Sequence, residues 1–273
     1  MSRSSRDPIA FSPRRVGTMV LRYWYLLRSS WARLIELIYW PAVQMLMWGF
    51  LQTYIGQSAG FFASAAGTFI GAVLLWDILF RGQLGFSISF LEEMYARNLG
   101  NLMMSPLRPV EFIGALMIMS IVRLAIGMIP VSFLAIAFFG FNLYAMGLAL
   151  AAFFANLMLT SWSVGIFVSG LVLRNGLGAE TFAWSIMFLF LPLTCVYYPV
   201  ATLPDWLQPV AWALPSTYIF EGMRAVLFEH TFRTGYFFAA LGLDLIYLAA
   251  GATVFFIAFH DARRRGALLQ MGE

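Results

Sequence analysis

The chain of 273 residues contains no lysine, one cysteine, two histidines and only 11% charged residues. Each shortage removes a class of chemistry. Loops that cradle nucleotide phosphates reach the β- and γ-phosphates with a lysine, so no motor of that kind fits in this chain. Cys195 has no second sulfur to pair with, and no Cys/His spacing suited to a metal is present, which argues against disulfide, redox and zinc chemistry. Polar stretches long enough to house a soluble domain are also missing.

What is abundant is apolar: 61% of the residues are hydrophobic and 17% aromatic, well above the share in an ordinary soluble domain. A helix crossing a hydrocarbon core of roughly 30 Å needs about 20 apolar residues, because its backbone amides must be satisfied within the segment. Six stretches approach or exceed this: Leu34–Ile55, Ala63–Phe90, Val110–Phe139, Tyr144–Leu173, Thr181–Tyr198 and Tyr236–Phe259. They are continuously apolar and do not alternate with polar residues, which excludes a membrane β-barrel. The expected fold class is therefore all-α integral membrane with six transmembrane helices. The first long apolar run begins late and has no small-residue cleavage pattern behind it, so no cleavable signal is expected.

All 17 basic residues are arginine, and they are unevenly placed. If both ends face the cytoplasm, the inner segments hold the seven arginines before residue 34 together with Arg97, Arg108, Arg174 and Arg263–Arg265. The opposite face keeps only Arg224 and Arg233. The positive-inside bias thus predicts N-in, C-in topology in a cell membrane. Residues 1–33 read as a cytoplasmic N-terminus with an amphipathic interface helix: Arg15, Thr18, Arg22, Ser29 and Arg33 fall on one stripe, and Val16, Met19, Val20, Tyr23, Trp24, Leu27 and Trp31 on the other. Such a helix is expected along the inner leaflet, either as a lipid anchor or as part of a gate.

Charges inside a span are costly unless they face protein or water. Asp77 and Arg81 stand four apart on one helix face and can pair, or can meet a transported molecule. Arg123 has no local acid in its own span, and Asp244 in the last span is its expected partner. An intramembrane enzyme built on His230 with Glu229 or His260 with Asp261 is a remote alternative, since adjacent side chains diverge on a helix. Gly165–Gly170 predicts close helix approach in the fourth span.

Two segments carry a family resemblance. Between the second and third spans, EEMYARNLGNLMMSPLRPVEFIGALMI (Glu92–Ile118) has an acidic–basic start, Pro106 and Pro109, and then Glu111 leading into a span. Between the fifth and sixth, YYPVATLPDWLQPVAWALPSTYIFEGMRAVLF (Tyr197–Phe228) carries Pro199, the Leu203-Pro204-Asp205-Trp206 turn, Pro215 and the Glu221/Arg224 pair. In this order and at this length, they resemble the permease subunits of type-2 ABC transporters.

The resemblance implies a transmembrane domain over 34–273. Within it, a cytoplasmic coupling helix at about 91–109 would dock on an ATPase through Glu92, Glu93, Arg97, Arg108 and Glu111, and re-entrant helices at about 199–230 would form an outer gate. It further implies a non-hydrolytic subunit acting as a homodimer with two copies of a cytoplasmic ABC ATPase, which would hold the ATP and Mg, in a bacterial inner membrane. Membrane lipids are the other expected partner; nucleic acid is not. The expected cargo is amphipathic, lipid-like or drug-like, moved outward, because the spans carry few charges and many aromatics. A polysaccharide or glycolipid is the alternative.

Overall fold

The computed structural model describes residues 11–58 and 66–265. Among them are ten α-helices and no strand: α1 (Pro13–Arg28), α2 (Trp31–Ser58), α3 (Ala66–Tyr95), α4 (Leu99–Met104), α5 (Pro109–Phe139), α6 (Leu148–Asn175), α7 (Thr181–Leu193), α8 (Gln208–Trp212), α9 (Pro215–Glu229) and α10 (Thr234–Arg264). Five of these, α2, α3, α5, α6 and α10, are long and apolar enough to cross a membrane. The chain is an all-α, multi-pass membrane protein. Arg3, Arg6 and the expected start of the second span at Ala63 lie outside the described residues.

The expected fifth span behaves differently from the others. Its helix ends at Leu193, one residue after Pro192, and residues 194–198 leave helical geometry with Cys195 in a left-handed conformation. Thirteen residues of α7 rise only about 20 Å, short of the hydrocarbon thickness. The amphipathic helix also stops early, at Arg28, where Ser29 turns its hydroxyl back to the Leu26 carbonyl at 2.8 Å.

α3 is the most buried of the five long helices and packs against α2, α5 and α6, while α10 lies along α6 in the most extensive helix pair. Small residues set these distances. A Cβ on Gly251 of α10 would stand 2.7 Å from the Ser163 carbonyl oxygen of α6, and one on Gly170 of α6 would stand 3.0 Å from the Phe255 backbone. The close approach expected at Gly165–Gly170 is present.

The α2–α5 contact has a more specific origin. Pro41 has no N–H to offer the Leu37 carbonyl one turn earlier, and that freed oxygen sits 2.5 Å from where Gly127 of α5 would carry a Cβ. The break in the α2 ladder and the missing side chain on α5 thus fit each other.

Candidate functional site

The elbow between α3 and α5 is built around three acids, and none of them is turned freely to solvent. Glu111 opens α5 and is fully buried. Its Oε1 accepts from Arg15 Nη2 at 2.6 Å and from the Ser12 backbone N–H at 2.7 Å. Its Oε2 accepts from Arg15 Nε at 2.8 Å and from the Arg108 backbone N–H at 3.0 Å. The last bond closes a capping arrangement at the α5 N-terminus, where Pro109 needs no N–H partner. The hydrogen bonds to Glu111 hold the Arg15 guanidinium above its usual pKa.

Glu93, near the end of α3, is buried and receives the Arg22 guanidinium together with Asn98 Nδ2 at 2.8 Å. Beside them lies Tyr23, only 1% exposed. Burial, reinforced by the Glu93 carboxylate, pushes its phenol well above the ordinary range. Glu92 is shared: Arg33 of α2 approaches one oxygen at 3.3 Å, and Arg123 of α5 the other at 3.0 Å.

Arg123 therefore does not meet Asp244, as the sequence suggested, but reaches an acid in the elbow. Asp244 is buried against α6 instead, where Oδ1 accepts from Thr160 Oγ1 at 2.6 Å. A span-by-span reading looks for an acid within another span and passes over Glu92, which stands three residues before the end of α3.

The apolar stripe of α1 is also turned differently from the expectation. Val16, Met19, Tyr23 and Leu27 are buried, with α1 packed mainly on α5, so this stripe faces protein rather than lipid. Arg15 and Arg22, expected among headgroups, are committed to acids of the elbow. Arg15, Arg22 and Arg33 were thus missed as site residues. The signal was available, since residues 11–33 carry five arginines and no acid.

What the elbow leaves exposed is its turn. Arg97 adopts a left-handed conformation after α3, and Met104, Ser105, Pro106 and Arg108 project between α4 and α5. Under this turn lies a groove of about 530 Å³, lined by Met103, Met104, Pro106, Arg108 and, from the end of α10, Phe259 and Arg263.

At the opposite end of the bundle, Pro199 and Pro204 flank a 3-10 turn at Val200–Thr202, and Asp205 and Trp206 are exposed. α8 and α9 follow, with Pro215 at the first turn of α9, where its ring suits the helix start. Glu221 and Arg224 of α9 pair at 2.9 Å and hold the preceding segment: Glu221 accepts from the Val200 N–H at 2.7 Å, and Arg224 donates to the Cys195 carbonyl at 2.9 Å. The Glu229 carboxylate is engaged by Arg233 at 2.8 Å, with His230 between them as the exposed, left-handed end of α9.

Within the bundle, Asp77 is fully buried and lies 3.5 Å from Arg81, whose side chain retains 14% exposure. The Asp77 oxygens accept no hydrogen bond from the described residues, so the ion pair is their one close polar contact there. The same helix carries Phe80, which meets Trp184 and Phe188 of α7 edge-on at 6.1 Å, and Trp48 of α2 stacks on Tyr197 at 4.4 Å. The structure thus brings Asp77 and Arg81 together, joins Glu92 to Arg123, and keeps Asp244 apart from both pairs.

Comparison with known proteins places most of this architecture in one frame. A family model described as ABC-2 type transporter matches residues 18–228, from α1 through the end of α9. No curated protein matches the chain.

Proposed function

Because this chain belongs to the ABC-2 type transporter family, whose members are membrane-spanning transport subunits that associate with an ABC ATPase, we propose that it is the permease of an ATP-driven exporter. Its cargo is an amphipathic or lipid-like molecule taken from the cytoplasm or inner leaflet. In this reading α7 and the segment after it complete a sixth crossing, both termini face the cytoplasm, and α8 and α9 dip back into the outer half of the membrane. Two copies of the permease form the pathway and two ATPases, carrying ATP and Mg, drive it.

The observation that carries this reading is the division of the elbow into a clamped and an open side. Glu92, Glu93 and Glu111 are tied to Arg33, Arg22 and Arg15, while Met104, Pro106 and Arg108 rim an open groove with Arg263. A motor pressing on the open side would move α1, α3 and α5 together, because the ion pairs join them. Rocking two such bundles would then open a path lined by the aromatic residues around Asp77 and Arg81.

The experiment is ATP-dependent uptake into inverted vesicles containing the chain with its cognate ATPase. Uptake of an amphipathic probe should require both subunits, and Arg108→Glu should leave ATP hydrolysis intact while separating it from transport. Uptake that is indifferent to the ATPase subunit would overturn the proposal. Unchanged coupling in Arg108→Glu would remove the groove from the contact.

A further inference from the structure

α1 has three different sides, and the structure accounts for only two. At about 100° per residue, Val16, Met19, Tyr23 and Leu27 form the buried stripe. Arg15 and Arg22, two turns apart, form a flank that reaches Glu111 and Glu93. Directly opposite the buried stripe run Arg14, Thr18, Leu21, Tyr25 and Arg28, all exposed, with Trp24 beside them. No acid occurs between residues 11 and 35.

This outer stripe combines features that rarely serve one purpose in water. Leu21 and Tyr25 are about half exposed, and the Arg28 guanidinium lies over the Tyr25 ring at 5.2 Å. The pattern continues into the first turns of α2, where Trp31, Ile35 and Tyr39 are also exposed. Cations interleaved with amphipathic rings and aliphatic side chains, beside the start of a span, match the boundary between headgroups and acyl chains. The net positive charge of the stripe selects anionic headgroups over zwitterionic ones.

We infer that Arg14 and Arg28 bind anionic phospholipid headgroups of the adjoining leaflet, and that the Arg15–Glu111 and Arg22–Glu93 pairs relay this binding to the elbow, so that lipid charge regulates coupling to the motor. The relay rests on the transport reading above; the lipid site does not. Lipid held on one side of α1 fixes its position, and the ion pairs on its flank then limit how far α3 and α5 can move. The lipid that anchors the helix thereby sets the response of the elbow.

Two arms separate the parts. Native mass spectrometry of the purified chain, titrated with phosphatidylglycerol or phosphatidylcholine, reads the site alone. Wild type should retain phosphatidylglycerol at least tenfold better, from about fivefold per arginine near a charged surface, and Arg14→Gln/Arg28→Gln should bring the two lipids near parity. Equal retention by wild type, or an unchanged preference in the double variant, overturns the site. Loss of ATPase-subunit binding in the double variant with lipid preference intact also overturns it and assigns the stripe to motor docking.

The second arm reconstitutes the chain with its ATPase in vesicles of phosphatidylcholine with and without phosphatidylglycerol. ATP-coupled transport should depend on phosphatidylglycerol in wild type. Glu93→Gln should keep the lipid preference in the first arm yet blunt that dependence. Transport that ignores lipid charge in wild type overturns the relay while leaving the site standing. Absence of any ATP-dependent transport, with lipid preference present, counts against the exporter reading and takes the relay with it.

Discussion

Arg15 and Glu111 lie 96 residues apart in sequence and meet through two charge-assisted bonds of 2.6 and 2.8 Å. The carboxylate is fully buried, and the same two oxygens also accept backbone N–H groups from Ser12 and Arg108. One side chain thereby fixes the entry to α1, the start of α5 and the end of the elbow. Four donors converging on one carboxylate define a rigid joint, because a shift of any one element strands a buried charge.

Glu111→Gln should therefore loosen α1 without unfolding the bundle. An amide oxygen can accept only part of this donor set, and its NH2 group would face the Arg15 guanidinium. Hydrogen exchange should rise several-fold in the amides of 13–28 and 105–112, while α6 and α10 keep their protection. Equal protection of α1 in variant and wild type would contradict the joint.

Glu92 and Arg123 should respond unequally to neutralisation. Removing Glu92 strands Arg123, which is 7% exposed and has Nε without a partner among the described residues. Removing Arg123 leaves Glu92 with Arg33. Glu92→Gln should then cost about 3 kcal/mol and Arg123→Gln appreciably less. Thermal unfolding of both variants in the same detergent measures the order; a larger loss for Arg123→Gln would reverse the argument.

Buried Asp244 offers a test by double-mutant cycle. Thr160 supplies its one hydrogen bond from the described residues, so Thr160→Val alone leaves a buried carboxyl without a donor, at about 1–3 kcal/mol. Thr160→Val combined with Asp244→Leu removes both polar groups and should recover part of that loss. Strict additivity of the two changes would show that they do not interact in the membrane.

The glycine contacts give a steric prediction. Gly127→Ala sets a methyl group 2.5 Å from the Leu37 carbonyl oxygen, and Gly251→Ala sets one 2.7 Å from the Ser163 carbonyl oxygen. Both clashes are with backbone, so the helices must separate, at about 1–3 kcal/mol each. Gly114→Ala, with nothing within 4 Å of its added carbon, is the control and should be neutral or slightly stabilising. Melting temperatures of the three variants rank them directly.

At the far end of the bundle, Arg224→Ala should release the segment that α9 restrains. Its guanidinium donates to the carbonyls of Cys195 and Val196 as well as pairing with Glu221. Faster hydrogen exchange is expected across 195–203, with the elbow at 92–111 unaffected. Matched changes at both ends would mean that Arg224 acts on the whole bundle rather than on this segment.

The sequence by itself determined that this chain is a helical membrane protein. Length and continuity of apolar runs depend only on local composition. The order and spacing of prolines, acids and arginines at 92–118 and 197–228 also made the family legible, and the match over 18–228 agrees. Which charge meets which across separate helices was decided by tertiary structure alone. Asp77 and Arg81 could be paired in advance because one helix turn joins them. The partners of Arg123, Asp244 and Glu111 come from other helices, and their choice depends on how those helices pack, as where Gly251 lets α10 approach the α6 backbone and Asp244 meets Thr160. Amphipathicity likewise announced an interface helix in α1 but not its orientation. A hydrophobic stripe is equally served by lipid or by protein, and the packing of α1 on α5, with Arg15 and Arg22 held by Glu111 and Glu93, turned that stripe inward.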